Sequence, residues 1–551
     1  MADKTVVLPI DDGGHLPPLP WLLRFLELHA RTGTQRLQCA RWPGANPILP
    51  ELLSLAGIEG LVAPSPQRGW PRNWRWTAPS GARTQVFASA KGKGGGPDHA
   101  GLVPSKAEGQ RSKALANLQR QCHLARYEDA AAVLSGGTGV AWNLLIASID
   151  DPASPPPVVA GRQSHNEAVI HAWNPLALQR RCTVSVPATP GLAPWGLRDA
   201  SGRSYPIQLA EGPLGRQFLS VVDLGPLECR RLEPIDDPVP GAHWEVSKKV
   251  LDNGRVRAEI DASGLIARLC IDGRFLPLSA PMPRPQIDGH TLIPTDSTIS
   301  VLEDGPVRGR ILVTMEHPAG VLSLTYSLYA EEELLRVGVS WRSEHGLELE
   351  HATAWRSGSA QVWWDGAGAD VEQAASALHP TGRHLLDIRC LSIGAGGAQD
   401  AGLGIIGLRS PLDTTVQSGR VRVHCTDGTN YAIAAGDRRP DQWSLPLLAL
   451  AAGEPGRGAF NAEASAAPFS LHGAENLVPV WIRRRGDGRT ELTLIESTGK
   501  RGIAALAIPG LEKAPAVIDL AGRPLAELTR SGVTEPWELR YHAHQMFIVA
   551  W

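Results

Sequence analysis

Residues 320–342 read GVLSLTYSLYAEEELLRVGVSWR, and their period decides the fold of most of the chain. Leu322, Leu324, Tyr326 and Leu328 alternate with small or polar residues, and after a charged turn Leu335, Val337, Val339 and Trp341 do the same. Successive side chains of a strand point to opposite faces, so this pattern describes strands with one face buried and one face wet. Upstream, Val256, Ala258 and Ile260 alternate with Arg257 and Glu259, and Leu265, Ala267, Leu269 and Ile271 are expected on one face of the next strand. Asp252-Asn253-Gly254, Asp272-Gly273 and Asp487-Gly488 supply turns between such runs. Period two starts after Ala168 and persists, which predicts all-β antiparallel sandwiches over the C-terminal two-thirds. The Pro-rich break at 233–240 divides a small sandwich, 166–238, from a large sandwich region, 239–551.

Before Ala168 the period is different. Residues 1–90 read as a small α/β fragment: a strand at Val6–Ile10, the turn Asp11-Asp12-Gly13-Gly14, and a helix from Leu19 to Ala30 with Leu22, Leu23, Leu26 and Ala30 on one face. A second helix is predicted at Leu49–Leu55, stopped by Gly57, with a strand at Ile58–Val62 after it. A (β/α) barrel needs roughly 200 residues, so the fragment cannot close one. Residues 91–165 read as a Gly-rich linker followed by a helical segment, with an amphipathic helix from Arg111 to Leu134 carrying Leu115, Leu118, Cys122 and Ala125 on one face. The run Asp150-Asp151-Pro152 onward to Pro157 ends the helical pattern.

Composition narrows the function classes. The 551 residues exceed what one core serves, and about three or four domains are expected. A formal net charge of -2 gives no electrostatic reason to expect nucleic acid or an acidic membrane as partner. Seven cysteines without a CxxC pair argue against a zinc knuckle or thioredoxin-type site, and Cys182 inside a strand-like run is expected as a buried free thiol. Met1 to Thr5 show no apolar leader, and no apolar run reaches the roughly 18 to 20 residues of a membrane span. The expectation is a reduced, cytoplasmic protein.

The order of the β segments resembles the region behind the barrel in family 38 glycoside hydrolases, the α-mannosidases. Trp173-Asn174-Pro175 with Val184-Ser185-Val186-Pro187 is similar to the entry of that family's first small sandwich, and Val221 to Leu227 to its closing strand. Asn253 to Ile260, Ser263 to Ile266 and Leu269 to Asp272 resemble the opening hairpin of the large sandwich. Glu303-Asp304-Gly305-Pro306-Val307-Arg308-Gly309 looks like the strand that follows, and Leu494 to Gly499 like a late one. The resemblance implies a galactose-mutarotase-like large sandwich and a carbohydrate ligand.

It also implies a zinc ion bound by two Asp and two His, one Asp doubling as nucleophile, with a separate carboxylate as general acid. Retaining chemistry needs two carboxylates roughly 5 Å apart. At the stretch comparable to the first metal motif, Asp11 stands at the acidic position, but Val7 and Pro9 occupy the histidine positions and cannot bind zinc. Ala45 to Leu52, then Ala56-Gly57-Ile58, match the second half of the nucleophile motif, which places Arg41 where the attacking carboxylate belongs. A guanidinium binds anions or sugar hydroxyls but forms no glycosyl ester. The helical-domain stretch that carries a zinc histidine in that family has Ile149-Asp150-Asp151 as its nearest match here, with Asp150 as a potential ligand. Zinc is therefore expected of the family but unmatched here, so no metal and no cofactor are assigned.

Other chemistries find no footing. There is no G-x-S-x-G elbow, Ser497 to Arg501 is not a phosphate loop, and His345 and His351 lack metalloprotease spacing and read as sandwich histidines. The local constellation that remains is Asp11 and Asp12 as candidate catalytic carboxylates, with His15, Trp21 and Arg41 as candidate sugar contacts and His29 nearby. Asp12 as a helix cap with His15 on the surface explains the same residues structurally. Trp363-Trp364-Asp365-Gly366 is a second candidate, an aromatic turn able to stack a sugar or to fill a core. Two readings stay open: a shortened family 38-like enzyme, or a pseudoenzyme that binds carbohydrate and acts as a homo-oligomer or with a full-length partner glycosidase.

Overall fold

The computed structural model describes residues 5–8, 19–32, 34–39, 49–63, 73–77, 83–88, 169–174, 176–188, 195–212, 215–241, 244–352, 360–365, 370–374, 390–395, 402–408, 413–417, 420–436, 456–460, 466–474, 476–485, 487–496, 500–543 and 545–551. A mixed α/β N-terminal region is followed by several antiparallel β units, one of them a closed barrel. The linker and helical segment expected over 91–165 lie outside the described residues.

The N-terminal unit is β1 (Thr5–Leu8), α1 (Leu19–Thr32), β2 (Arg36–Cys39), α2 (Leu49–Leu55), β3 (Gly60–Ala63), β4 (Asn73–Thr77) and β5 (Arg83–Ala88). Its sheet runs β1-β2-β3-β5-β4, parallel throughout except for the edge strand β4. Both helices stand where the apolar spacing puts them. The strand β2 was not expected: four residues, RLQC, carry too little alternation to announce themselves. Gly57, at φ +67°, ends α2 with the bonds Ile58 N to Leu53 O (2.8 Å) and Gly57 N to Ser54 O (3.0 Å), a Schellman stop.

This small sheet does not own its core. Leu26, Leu37, Leu52, Leu61 and Val86 pack in one cluster with Trp481, Ile495 and Ile548 from the C-terminal sheets and with Ile406 and Ala432 from the large sandwich. Polar contacts seal the junction. Arg483 Nη1 donates to Glu27 Oε2 of α1 at 2.6 Å and its guanidinium also reaches Glu491 at 2.8 Å, where Arg485 joins the cluster.

The region read as a small sandwich closes instead into a seven-stranded barrel. Six strands come from Ile170–Ile235, and the seventh, Gly456–Phe460, enters from far downstream between Ile170–Trp173 and Arg180–Pro187. Gly456 and Gly458 make this possible, since a Cβ on Gly458 would stand 2.4 Å from Val186 Cγ2. Asn174, from the family-like Trp-Asn-Pro stretch, is wholly buried: its amide donates to Leu178 O and Gly225 O, both at 2.7 Å, and its carbonyl accepts from Arg180 Nε at 2.9 Å. Cys182, expected as a buried free thiol, is one.

The large sandwich faces a nine-stranded sheet against two five-stranded ones around a single apolar core. Leu322, Leu324, Tyr326, Leu328, Leu335, Val337, Val339 and Trp341 all point inward, as their alternation requires. In Ile266–Ile271 the expected face shifts: Ile266, Leu269 and Ile271 are buried while Ala267 is exposed. A register break opposite Glu259 and Ile260 causes this, because a bulge places two residues against one and inverts the alternation beyond it. Glu303 and Arg308 of the "Gly-Pro" stretch pair with each other at 2.6 Å. They hold Gln208 of the barrel, whose carbonyl accepts from Val307 N (2.8 Å) and Arg308 N (2.7 Å). Residues 466–551 form a further pair of sheets with a separate core around Phe469, Leu494, Leu506, Leu539 and Phe547.

Candidate functional site

Asp11, Asp12, His15 and Arg41 lie outside the described residues. Trp21 falls within α1, where only its place in the helix is described. Trp363 and Trp364 lie in the strand Ala360–Asp365, opposite Glu372 and Val371 near one edge of the nine-stranded sheet. His29 is on α1, its ring edge-on to Phe25 at 4.4 Å between centroids. The structure thus brings none of the sequence-derived candidates into one described site. Among the described residues no group of three or more His, Cys, Asp or Glu is placed to hold a metal ion.

A different site emerges on the large sandwich. One of its five-stranded sheets runs His290–Thr291, Arg284–Ile287, Leu347–Ala352, Arg420–Cys425, Asp413–Gln417. Leu347, Leu349 and His351 alternate toward the core with Val421, Val423 and Cys425. His351 is fully enclosed: Nε2 pairs with Tyr431 Oη at 3.1 Å and Nδ1 with Met282 Sδ at 3.4 Å. Burial pushes its imidazole down to about 3, so it is neutral at ordinary pH. This inward anchoring fixes the register, and with it the outward direction of Glu348 and Glu350.

On the outer face, Glu348 sits opposite Gln286 on one side and His424 on the other, and Glu350 opposite Arg284 and Arg422. Arg422 Nε lies 3.3 Å from Glu350 Oε2, Arg420 Nη1 3.6 Å from the same oxygen, and His424 Nδ1 3.3 Å from Glu348 Oε1. Outer faces of sheets are ordinarily wet, yet Glu350 is 0% and Gln286 3% exposed. Three of their acceptor oxygens, Gln286 Oε1, Glu348 Oε2 and Glu350 Oε1, are enclosed without a hydrogen-bond donor. Each such orphan costs about 1–3 kcal/mol of desolvation. The rim remains open to solvent, since Arg420 is 55% exposed and Arg422 and His424 partly so.

The arrangement does not suit glycosidic bond cleavage by the retaining route. Glu348 and Glu350, two residues apart on one strand, project the same way, whereas retaining hydrolysis needs carboxylates flanking the scissile bond. The sequence hint was the alternation in Leu347-Glu348-Leu349-Glu350, but nothing local says that Gln286 and Arg422 would lie beside it.

No protein-family model matches the sequence, and no curated protein matches it. Solved structures do share its fold. A glycosyl hydrolase family 38 protein from Enterococcus faecalis superposes with a TM-score of 0.66 at 10% identity, the alignment covering 98% of this chain and 90% of that one. An alpha-mannosidase from Enterococcus faecalis V583 gives 0.67 at 10% identity, covering 99% and 90%. The chain has the multidomain architecture of these proteins. No helix among the described residues is long and apolar enough to cross a membrane.

Proposed function

We propose that the chain is a carbohydrate-active protein of the family 38 α-mannosidase type whose catalytic end has eroded. The observation that carries this reading is the fold likeness along nearly the whole chain to two such proteins. In this reading residues 1–90 are a reduced remnant of the catalytic barrel, 91–165 a linker and helical segment, 166–238 the small β unit, and 239–551 the region of the galactose-mutarotase-like sandwich. Asp11 and Asp12 are the carboxylates left at the catalytic end, with His15, Trp21, Arg41, Trp363 and Trp364 as candidate sugar contacts. A second reading, a non-catalytic carbohydrate-binding or scaffold protein acting with a full-length glycosidase, is favoured by Val7, Pro9 and Arg41, none of which supplies the chemistry of the residue it replaces.

Purified protein assayed for bound zinc and for turnover of a panel of aryl α-glycosides separates the two. Stoichiometric zinc with turnover abolished by Asp11→Asn establishes the enzyme. Metal-free, inert protein that still binds α-linked saccharide establishes the pseudoenzyme.

A further inference from the structure

We infer that the strand Asp296–Asp304, at one end of the nine-stranded sheet, is the interface through which two copies of this chain pair antiparallel. Among the described residues its hydrogen-bonded neighbour is Arg308–His317 on one side, and its other side has none. A sheet edge offers a row of backbone donors and acceptors to any chain laid beside it, and proteins blunt their edges for that reason. Other edges of this molecule are blunted. Glu245–Val246, Arg274–Phe275 and His290–Thr291 are two residues each, Pro524–Glu527 opens on a proline, and Leu477–Arg484 carries Pro479. Asp296–Asp304 is nine residues long, holds no proline and no lysine, and is uncharged from Ser297 to Leu302. Its bulge falls between Val301 and Glu303, which leaves Asp296–Val301 regular. Ile293, Val301 and Leu302 are all exposed at this edge.

The strand's own sequence picks the occupant. A two-fold axis normal to the sheet keeps core face with core face, so only residues of like parity meet across it. Centred on Ser300, the pairing sets Asp296 against Asp304 of the second copy, and like charges directly opposite destabilise. Centred on Ile299, it sets Ile299 against itself, Ser297 against Val301, Thr298 against Ser300 and Asp296 against Leu302, so no charge meets a like one. Registers centred nearer Asp304 run into the bulge. Ile299 already packs against the core of its own sandwich, and on the axis it joins the two cores. The pairing consumes both free edges, so assembly stops at two. This inference does not depend on the carbohydrate reading.

The test is sedimentation equilibrium of the full chain from about 1 to 100 µM, a range suited to the small interface that one strand pair makes. Wild type is expected to dimerise reversibly. Ile299→Lys opposes two cations on the axis and weakens the dimer about tenfold or more. Ile299→Cys is expected to cross-link as a dimer under mild oxidation, whereas Leu525→Cys, exposed elsewhere, is not. Should Ile299→Lys fail to fold, the cysteine pair decides. Wild type that stays monomeric throughout overturns the inference. So does a dimer that Ile299→Lys leaves intact and Ile299→Cys does not cross-link, which moves the interface to another surface. Monomeric wild type that binds a lysine-ended peptide of the same apolar middle, with binding lost in Ile299→Lys, overturns self-pairing in favour of a basic partner.

Discussion

In the large sandwich the strands from Asp296 to Arg342 pair in the order in which they are written, each with the next. The seven-stranded barrel borrows Gly456–Phe460 from beyond the whole of that sandwich, and the N-terminal sheet completes its core with Trp481, Ile495 and Ile548. The first region is assembled from neighbours, the second by distant pieces meeting. Their chemistry differs accordingly. Local hairpins rest on alternating apolar side chains, whereas the long-range junctions carry buried polar bridges: Glu27 with Arg483 and Glu491, and Gln208 with Arg308 and Glu303. Polar bridges contribute little net stability when complete, but they penalise any misplaced junction.

Three experiments break or sharpen this contrast. The largest effect belongs to Arg483→Met, which removes one of the two cations, Arg483 and Arg485, shared by Glu27 and the 1% exposed side chain of Glu491. It is expected to cost about 3 kcal/mol in denaturant titration. Hydrogen exchange should quicken first in the helix Leu19–Thr32 while Gly320–Tyr329 stays protected; loss of protection in both at once contradicts separate assembly. Gly458→Ala comes next. Its new Cβ meets Val186 and the Ser185 carbonyl at 2.4 and 2.8 Å, an overpacking worth about 2 kcal/mol that frees Gly456–Phe460 from the barrel. Unchanged exchange in Ile170–Trp173 would show that the borrowed strand is dispensable.

The last test, whose size grows as pH falls, concerns the sandwich itself. Folding pushes His351 from its ordinary range down to about 3, so between those values the unfolded chain holds a proton that the native one lacks. Its contribution is fully present above the unfolded value and declines as pH falls toward 3, by at most about 1.4 kcal/mol per pH unit. Urea midpoints recorded from pH 7 to 4 should fall less steeply for His351→Gln than for wild type. Equal slopes would remove His351 as an acid-sensitive anchor of the sheet.

Much of the fold was legible, and for a plain reason. The inward residues of Gly320–Tyr329 and Leu335–Arg342 follow directly from their spacing. The bulge at Ile266–Ile271 was not legible, because an extra residue leaves the composition unchanged while inverting the face. Nor were β2 and the barrel closure, the one too short to show a period and the other dependent on Gly456 and Gly458 fitting against Cys182 and Val186. Of the candidate site, Glu348 and Glu350 were visible only as the wet half of an alternation. That Glu350 is enclosed, and that Gln286 stands opposite Glu348, depends on strands some sixty to seventy residues away in the chain.

By itself the sequence determined where strands replace helices and which face of most strands turns inward. Those properties belong to single residues and to a repeat of 3.3 Å per residue, and they need no partner to be read. Tertiary structure alone decided which strands meet, which polar groups are sealed at junctions, and which acceptors are left without donors. A contact between distant segments is fixed by shape and burial on both sides at once, and neither side encodes it separately.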